Sequence, residues 1–130
     1  MKKTILTAII LAISLTTQAR DWGEVLKAIA YVESKHNPKA VCGDQVGLLQ
    51  IRPILVKDCN RILELRGSSR RYTLKDRYNA SKSREMFVLY QSYYNPKGNV
   101  ERAIRLWNGG SGYTISGTQK YYVKVKKAMK

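Results

Sequence analysis

DWGEVLKAIAYVESKHNP, residues 21–38, is the stretch from which the fold is read. Asp21 with Glu24 three residues on forms a capping-box variant, with Asp in place of Ser or Thr. Trp22, Val25, Leu26, Ile29 and Val32 then recur at helical spacing. Asn37-Pro38 closes the helix, because the residue before a proline is pushed out of the α region. Working outward, Pro53 opens a second helix over residues 54–65, with Gly67 past its end. Residues 67–77 are polar and basic and read as a surface loop. A third helix over 81–93 buries Met86, Phe87, Tyr90 and Tyr94. The turn Asn95-Pro96-Lys97-Gly98 follows, and Asn99 caps a fourth helix that runs through Trp107. Residues 108–112 break regular structure, and a last helix over 118–129 presents Tyr121, Tyr122 and Val125. No repeat, low-complexity tract or strand hairpin stands out. The expected class is mainly α, with at most a minor β element.

The other end of the chain bears on the compartment. Lys2 and Lys3 precede the apolar run 5–15, and Thr17-Gln18-Ala19 offers small residues at the positions a signal peptidase reads. Residues 1–19 are therefore expected to be a secretory signal peptide cleaved near Ala19, too short for an ordinary membrane span. The remaining 111 residues, 20–130, suffice for one domain. The net charge is +15, of which the leader holds two positive charges and no negative one. So basic a protein binds polyanions, and outside the cytoplasm these are envelope polymers and lipid headgroups. Cys42 and Cys59 make an even count, which in an oxidising compartment suggests a disulfide worth on the order of 3 kcal/mol. Two separate thiols are the alternative. Two Cys and the single His36 make no spaced ligand set, so no metal is expected.

Glu33 lies four residues after Ile29 and seven after Leu26, on the apolar face of the first helix. A desolvated carboxyl there holds its proton towards neutrality, as a general acid for glycosidic cleavage must. The bland alternative is a helix-end Glu that bends into solvent. Gln50 sits in the otherwise apolar run 47–53, where a buried amide needs partners. Trp107-Asn108-Gly109-Gly110 places an aromatic plate, an amide and flexible backbone in succession, a combination suited to stacking on and reading sugar rings.

Glu33-Ser34-Lys35-His36-Asn37-Pro38-Lys39-Ala40, followed by Gly47-Leu48-Leu49-Gln50-Ile51-Arg52-Pro53, resembles the first two motifs of the soluble lytic transglycosylases, E-S-x-x-N-P-x-A and G-L-M-Q-I-x-P. Trp107-Asn108-Gly109 is similar to the third, an aromatic followed by N-A-G. Thr118-Gln119-Lys120-Tyr121 matches part of the fourth, E-T-x-x-Y. The resemblance implies a lysozyme-like fold with a glycan cleft and Glu33 as the catalytic carboxyl. It also implies cleavage between N-acetylmuramic acid and N-acetylglucosamine of peptidoglycan with a 1,6-anhydro product, without metal or cofactor. Gln50, Trp107, Asn108 and Tyr121 would then be substrate-binding or orienting residues. Three departures stand out: Trp107 replaces the usual Tyr, Gly117 takes the place of the fourth motif's Glu, and Cys42 replaces a frequent Ser.

Asp44 is the carboxylate close enough in sequence to partner Glu33. If it positions a water, the enzyme is a hydrolase of the lysozyme kind; otherwise it is a loop Asp that caps local backbone. The run Arg66, Arg70, Arg71, Lys75 and Arg77 around Tyr72 reads as a basic face for anionic envelope polymers rather than a specific nucleic-acid site. Three readings therefore stand: a lytic transglycosylase, a water-using peptidoglycan hydrolase, and a weakly catalytic cationic wall-binding protein. A monomer with no stable membrane span is expected in each.

Overall fold

The computed structural model describes residues 20–130; the expected signal peptide, residues 1–19, lies outside them. Among the described residues are five α-helices, α1 (Gly23–Ser34), α2 (Pro53–Leu65), α3 (Ala80–Tyr94), α4 (Val100–Gly109) and α5 (Ile115–Ala128). A two-stranded antiparallel hairpin, β1 (Val41–Cys42) and β2 (Gln45–Val46), lies between α1 and α2, and a 3-10 turn (Leu74–Tyr78) precedes α3. The mainly α class with a minor β element is thus observed. The hairpin itself was not expected: two residues per strand are too few to show alternation. Its tight turn is made by Gly43, in the left-handed region at φ 61°.

The core is built around α1. Ile29 is fully buried, and Phe87 and Met86 of α3, Leu49 and Ile51 of the 47–53 loop, and Ile104 and Leu106 of α4 close over the same cluster. Trp22 meets Phe87 edge-on with ring centroids 5.6 Å apart, and Phe87 in turn packs on Trp107 at 5.0 Å. This aromatic chain ties the start of α1 to the end of α4. Helix α5 packs against both α1 and α4.

Four local expectations need correction. The Asp21 carboxylate accepts from the Gly23 amide at 2.9 Å, so the helix is entered through Trp22 and no capping box forms with Glu24. Within the expected loop 67–77, Thr73 and Asp76 form a reciprocal capping box on the 3-10 turn, while Asn60 pins the Tyr72 backbone through bonds of 2.7 and 2.9 Å. Arg77 is not on a basic surface. It is buried, donating to the carbonyls of Leu74, Asp44 and Ile51, and so fastens the hairpin and the 47–53 loop to the 3-10 turn. Helix α5 starts one turn earlier than residue 118, because the Thr114 hydroxyl caps it by accepting from the Gly117 amide at 3.0 Å.

The expected disulfide is absent. Cys42 is exposed on β1, whereas Cys59 is fully buried in α2 and its thiol donates to the Met86 carbonyl at 3.6 Å. Burial, followed by the nearby Asp58 charge, pushes the Cys59 thiol up to about 12, so it is an inert core group.

Candidate active site

Helix α1 ends at Ser34, and the chain turns through two consecutive left-handed residues, Lys35 (φ 53°) and His36 (φ 64°). The amides of both fold back on the last turn of α1, and the Ser34 hydroxyl donates to Ala30 and, at 2.7 Å, to the Leu48 carbonyl. The end of α1 is thereby locked to the 47–53 loop, leaving Glu33 half-buried on the wall of a cleft of about 940 Å³. Opposite it, α5 delivers Tyr121, whose hydroxyl donates to Glu33 Oε2 at 2.9 Å.

Burial dominates the electrostatics of this pair. It pushes the Glu33 carboxyl above the usual carboxylate range, against the opposing pull of the Tyr121 hydrogen bond and the weaker pull of the Arg52 charge. Burial, the Glu33 charge and the shared hydrogen bond hold the Tyr121 phenol well above its ordinary value, so it remains a proton donor to the carboxyl. A carboxyl whose pKa is raised by burial at the edge of a large cleft is the arrangement a general acid requires.

Gln50, Trp107 and Asn108 line the same cleft. Gln50 is buried in the left-handed region at φ 53°, and its amide nitrogen donates to Ala40 and Gly47 carbonyls at 3.2 and 3.1 Å. The amide nitrogen thus holds the loop, and among the described residues no hydrogen bond to the side-chain oxygen is made. Trp107 donates from Nε1 to the Leu49 carbonyl at 3.1 Å and packs edge-on against Tyr90 at 5.9 Å. Asn108 is exposed and lines the cleft on the last turn of α4, which extends to Gly109 rather than stopping at Trp107. Glycine is required at position 47. At φ +89°, an added Cβ would lie 1.8 Å from the Arg77 carbonyl oxygen.

A family model described as the transglycosylase SLT domain matches residues 10–129, nearly the whole chain. The chain belongs to this family. No curated protein and no solved structure matches it. The SLT domain here has the lysozyme-like, mainly helical fold expected from the motifs, and the four motif regions, distant in sequence, meet at one cleft.

The departures have structural counterparts. At position 117 a Cβ would lie 2.7 Å from Thr114 Oγ1, so the glycine accommodates the cap of α5 in place of the carboxylate. Trp107 lacks a hydroxyl but gains the indole bond to Leu49. Asp44 is exposed, pairs with Arg52 at 3.7 Å, and is absent from the cleft lining. Two other carboxylates line the cleft, both on α2. Asp58 accepts from the Tyr94 hydroxyl at 2.6 Å and from Arg61 at 2.8 Å, and Glu64 is exposed. Among the described residues no His, Cys, Asp and Glu side chains gather into a set that could hold a metal ion.

Sequence reasoning passed over two contributors. Ser34 belongs to the first motif, and its hydroxyl couples the acid to the loop. Arg105 is buried among apolar neighbours on α4 and holds α5 in register. It donates to the Ile115 carbonyl, Thr118 and Gln119, pairs with Glu101 at 2.9 Å, and lies 4.4 Å above the Tyr122 ring. The sequence carries no local signal for it, because its acceptors at Ile115, Thr118 and Gln119 come from beyond its own helix.

Proposed function

We propose that this SLT domain is a peptidoglycan lytic transglycosylase in which Glu33 serves first as general acid and then as general base. The environment of Glu33 carries this reading: a half-buried carboxyl, its pKa raised by burial, in a glycan-sized cleft and oriented by the Tyr121 hydroxyl. Glu33 gives its proton to the glycosidic oxygen as the bond from C1 of N-acetylmuramic acid breaks, with positive charge developing at C1. The 6-hydroxyl oxygen of the same sugar then attacks C1 and its proton passes to the Glu33 carboxylate. The products are a 1,6-anhydro end and a free 4-hydroxyl, the acid is regenerated, and no water is consumed. The Tyr121 bond stabilises the carboxylate present between the two proton transfers. Trp107, Gln50 and Asn108 contact the sugars from the cleft walls.

A hydrolase would need a second carboxylate to activate water beside the acid. Asp44 is exposed, pairs with Arg52 and does not itself line the cleft, and Asp58 is held by Tyr94 and Arg61, which argues against that role for either; Glu64, the remaining carboxylate of the lining, is exposed on the last turn of α2. The protein acts after export and cleavage near Ala19, as a monomer on glycan strands. Incubating purified peptidoglycan with the protein and with Glu33→Gln, then analysing soluble products by mass spectrometry, tests the reading. Anhydromuropeptides with the first and none with the second are expected. Equal release by both would refute it, and no release by a folded wild type would leave a wall-binding protein.

A further inference from the structure

Glu101 is the last acidic residue of the chain; residues 102–130 contain seven Lys and Arg and no Asp or Glu. Of these cations Arg105 is buried against Glu101. Lys120, Lys124, Lys126, Lys127 and Lys130, on α5 and just past it, are all exposed, and among the described residues none takes part in an ion pair. Residues 1–19 contain no acid that could neutralise them.

At the helical repeat of about 3.6 residues per turn, Thr118 and Val125 point to the core, and the lysines fill the opposite arc over about 15 Å of helix. Val123 lies near the middle of that arc, 41% exposed, and Ile115 at its edge, 58% exposed. The segment 66–77 is less free of partners. Arg70 is paired with Glu85 at 2.7 Å, Arg77 is buried, and Arg66 and Arg71 stay charged but are tied to Ser92 and to backbone carbonyls, which leaves Lys75 as its exposed cation without such a bond.

We propose that the outward face of α5 docks the protein on an anionic lipid bilayer. A dissolved polyanion would neutralise the lysines but leave Val123 and Ile115 in water. The interfacial layer of a bilayer meets both, phosphates around the ammonium groups and acyl surface under the aliphatic side chains. The same helix supplies Tyr121 to the cleft, so docking through α5 keeps the cleft beside the membrane surface.

The test is sedimentation of the full chain with vesicles of phosphatidylcholine alone and with added phosphatidylglycerol, at low and high salt. An apolar leader binds both vesicle types, so the excess on the anionic ones is the readout. Each lysine near such a surface is worth about fivefold in affinity. Joint Lys124→Gln, Lys127→Gln and Lys130→Gln replacement should therefore weaken the excess about a hundredfold by the same rule, with the triple arginine variant retaining it. Val123→Ser should weaken it a few-fold, and high salt should abolish it. No excess on anionic vesicles, or an excess unchanged in the glutamine variant, overturns the proposal. So does equal competition by soluble polyphosphate together with an unaffected Val123→Ser variant, which would make the ligand a dissolved polyanion. Melting curves and glycan cleavage unchanged in the variants exclude misfolding as the cause.

Discussion

Tyr121→Phe removes one oxygen atom and, with it, the hydrogen bond that Glu33 Oε2 accepts at 2.9 Å. The cost depends on the state of the acid. When Glu33 is ionised the bond is charge-assisted and its loss costs about 1.5–3 kcal/mol; when Glu33 is protonated the bond is neutral and worth about 0.5–1.5 kcal/mol. In a domain of this size 1 kcal/mol moves Tm by about 4 °C, which gives losses of about 6–12 °C in alkaline buffer and about 2–6 °C in acid. The assay is thermal denaturation of both proteins, above the raised pKa of Glu33 and below the ordinary carboxylate value of 4.5. Activity gives an independent reading. The bond lowers the pKa of Glu33, so its removal raises that pKa further. A general acid works while protonated, so the alkaline fall of kcat/KM should move to higher pH in the variant. Equal Tm losses at both pH values with an unmoved alkaline limb would refute the coupling between Tyr121 and the acid.

Further outcomes follow from the same geometry. Glu33 has a folded-state pKa above its unfolded one, so its contribution to stability is intact below the unfolded value and is lost as pH rises through the folded value. Glu33→Gln should therefore melt higher than wild type in alkaline buffer, and the gap should shrink in acid; a gap independent of pH would contradict the burial of Glu33. Gly47→Ala puts a Cβ against the Arg77 carbonyl and should cost about 3 kcal/mol or more, seen as loss of the cooperative melt. Reductant should leave the wild-type Tm unchanged, Cys42→Ser should be neutral, and Cys59→Ala should cost about 1 kcal/mol for the void left in the core. A reductant-sensitive Tm would restore the disulfide.

The helical stripe of residues 22–32 was legible because one face of α1 is buried and the other wet, and the same arithmetic placed Glu33 on the inward side. Tyr121 was legible through a motif rather than through physics, since its partner lies 88 residues away. Arg77 and Arg105 were hidden. Each is buried by carbonyl and hydroxyl acceptors supplied from distant segments, and a local reading of a basic residue returns a solvated surface. The cysteine error was avoidable. Cys59 continues the buried stripe of Val56, Ile62 and Leu63 on α2, a spacing that marks it as a core residue rather than half of a bridge. The early start of α5 was masked by Gly117, which reads as a breaker but accommodates the Thr114 cap.

The distinction between an intramolecular nucleophile and water is tested most directly by digesting peptidoglycan in water enriched in oxygen-18 and weighing the new glycan ends. If the muramic acid 6-hydroxyl closes on C1 after Glu33 protonates the leaving oxygen, the new ends carry no heavy oxygen. Heavy oxygen at C1 of the released muramic acid would mean that water is the nucleophile, and that a second group activates it beside Glu33.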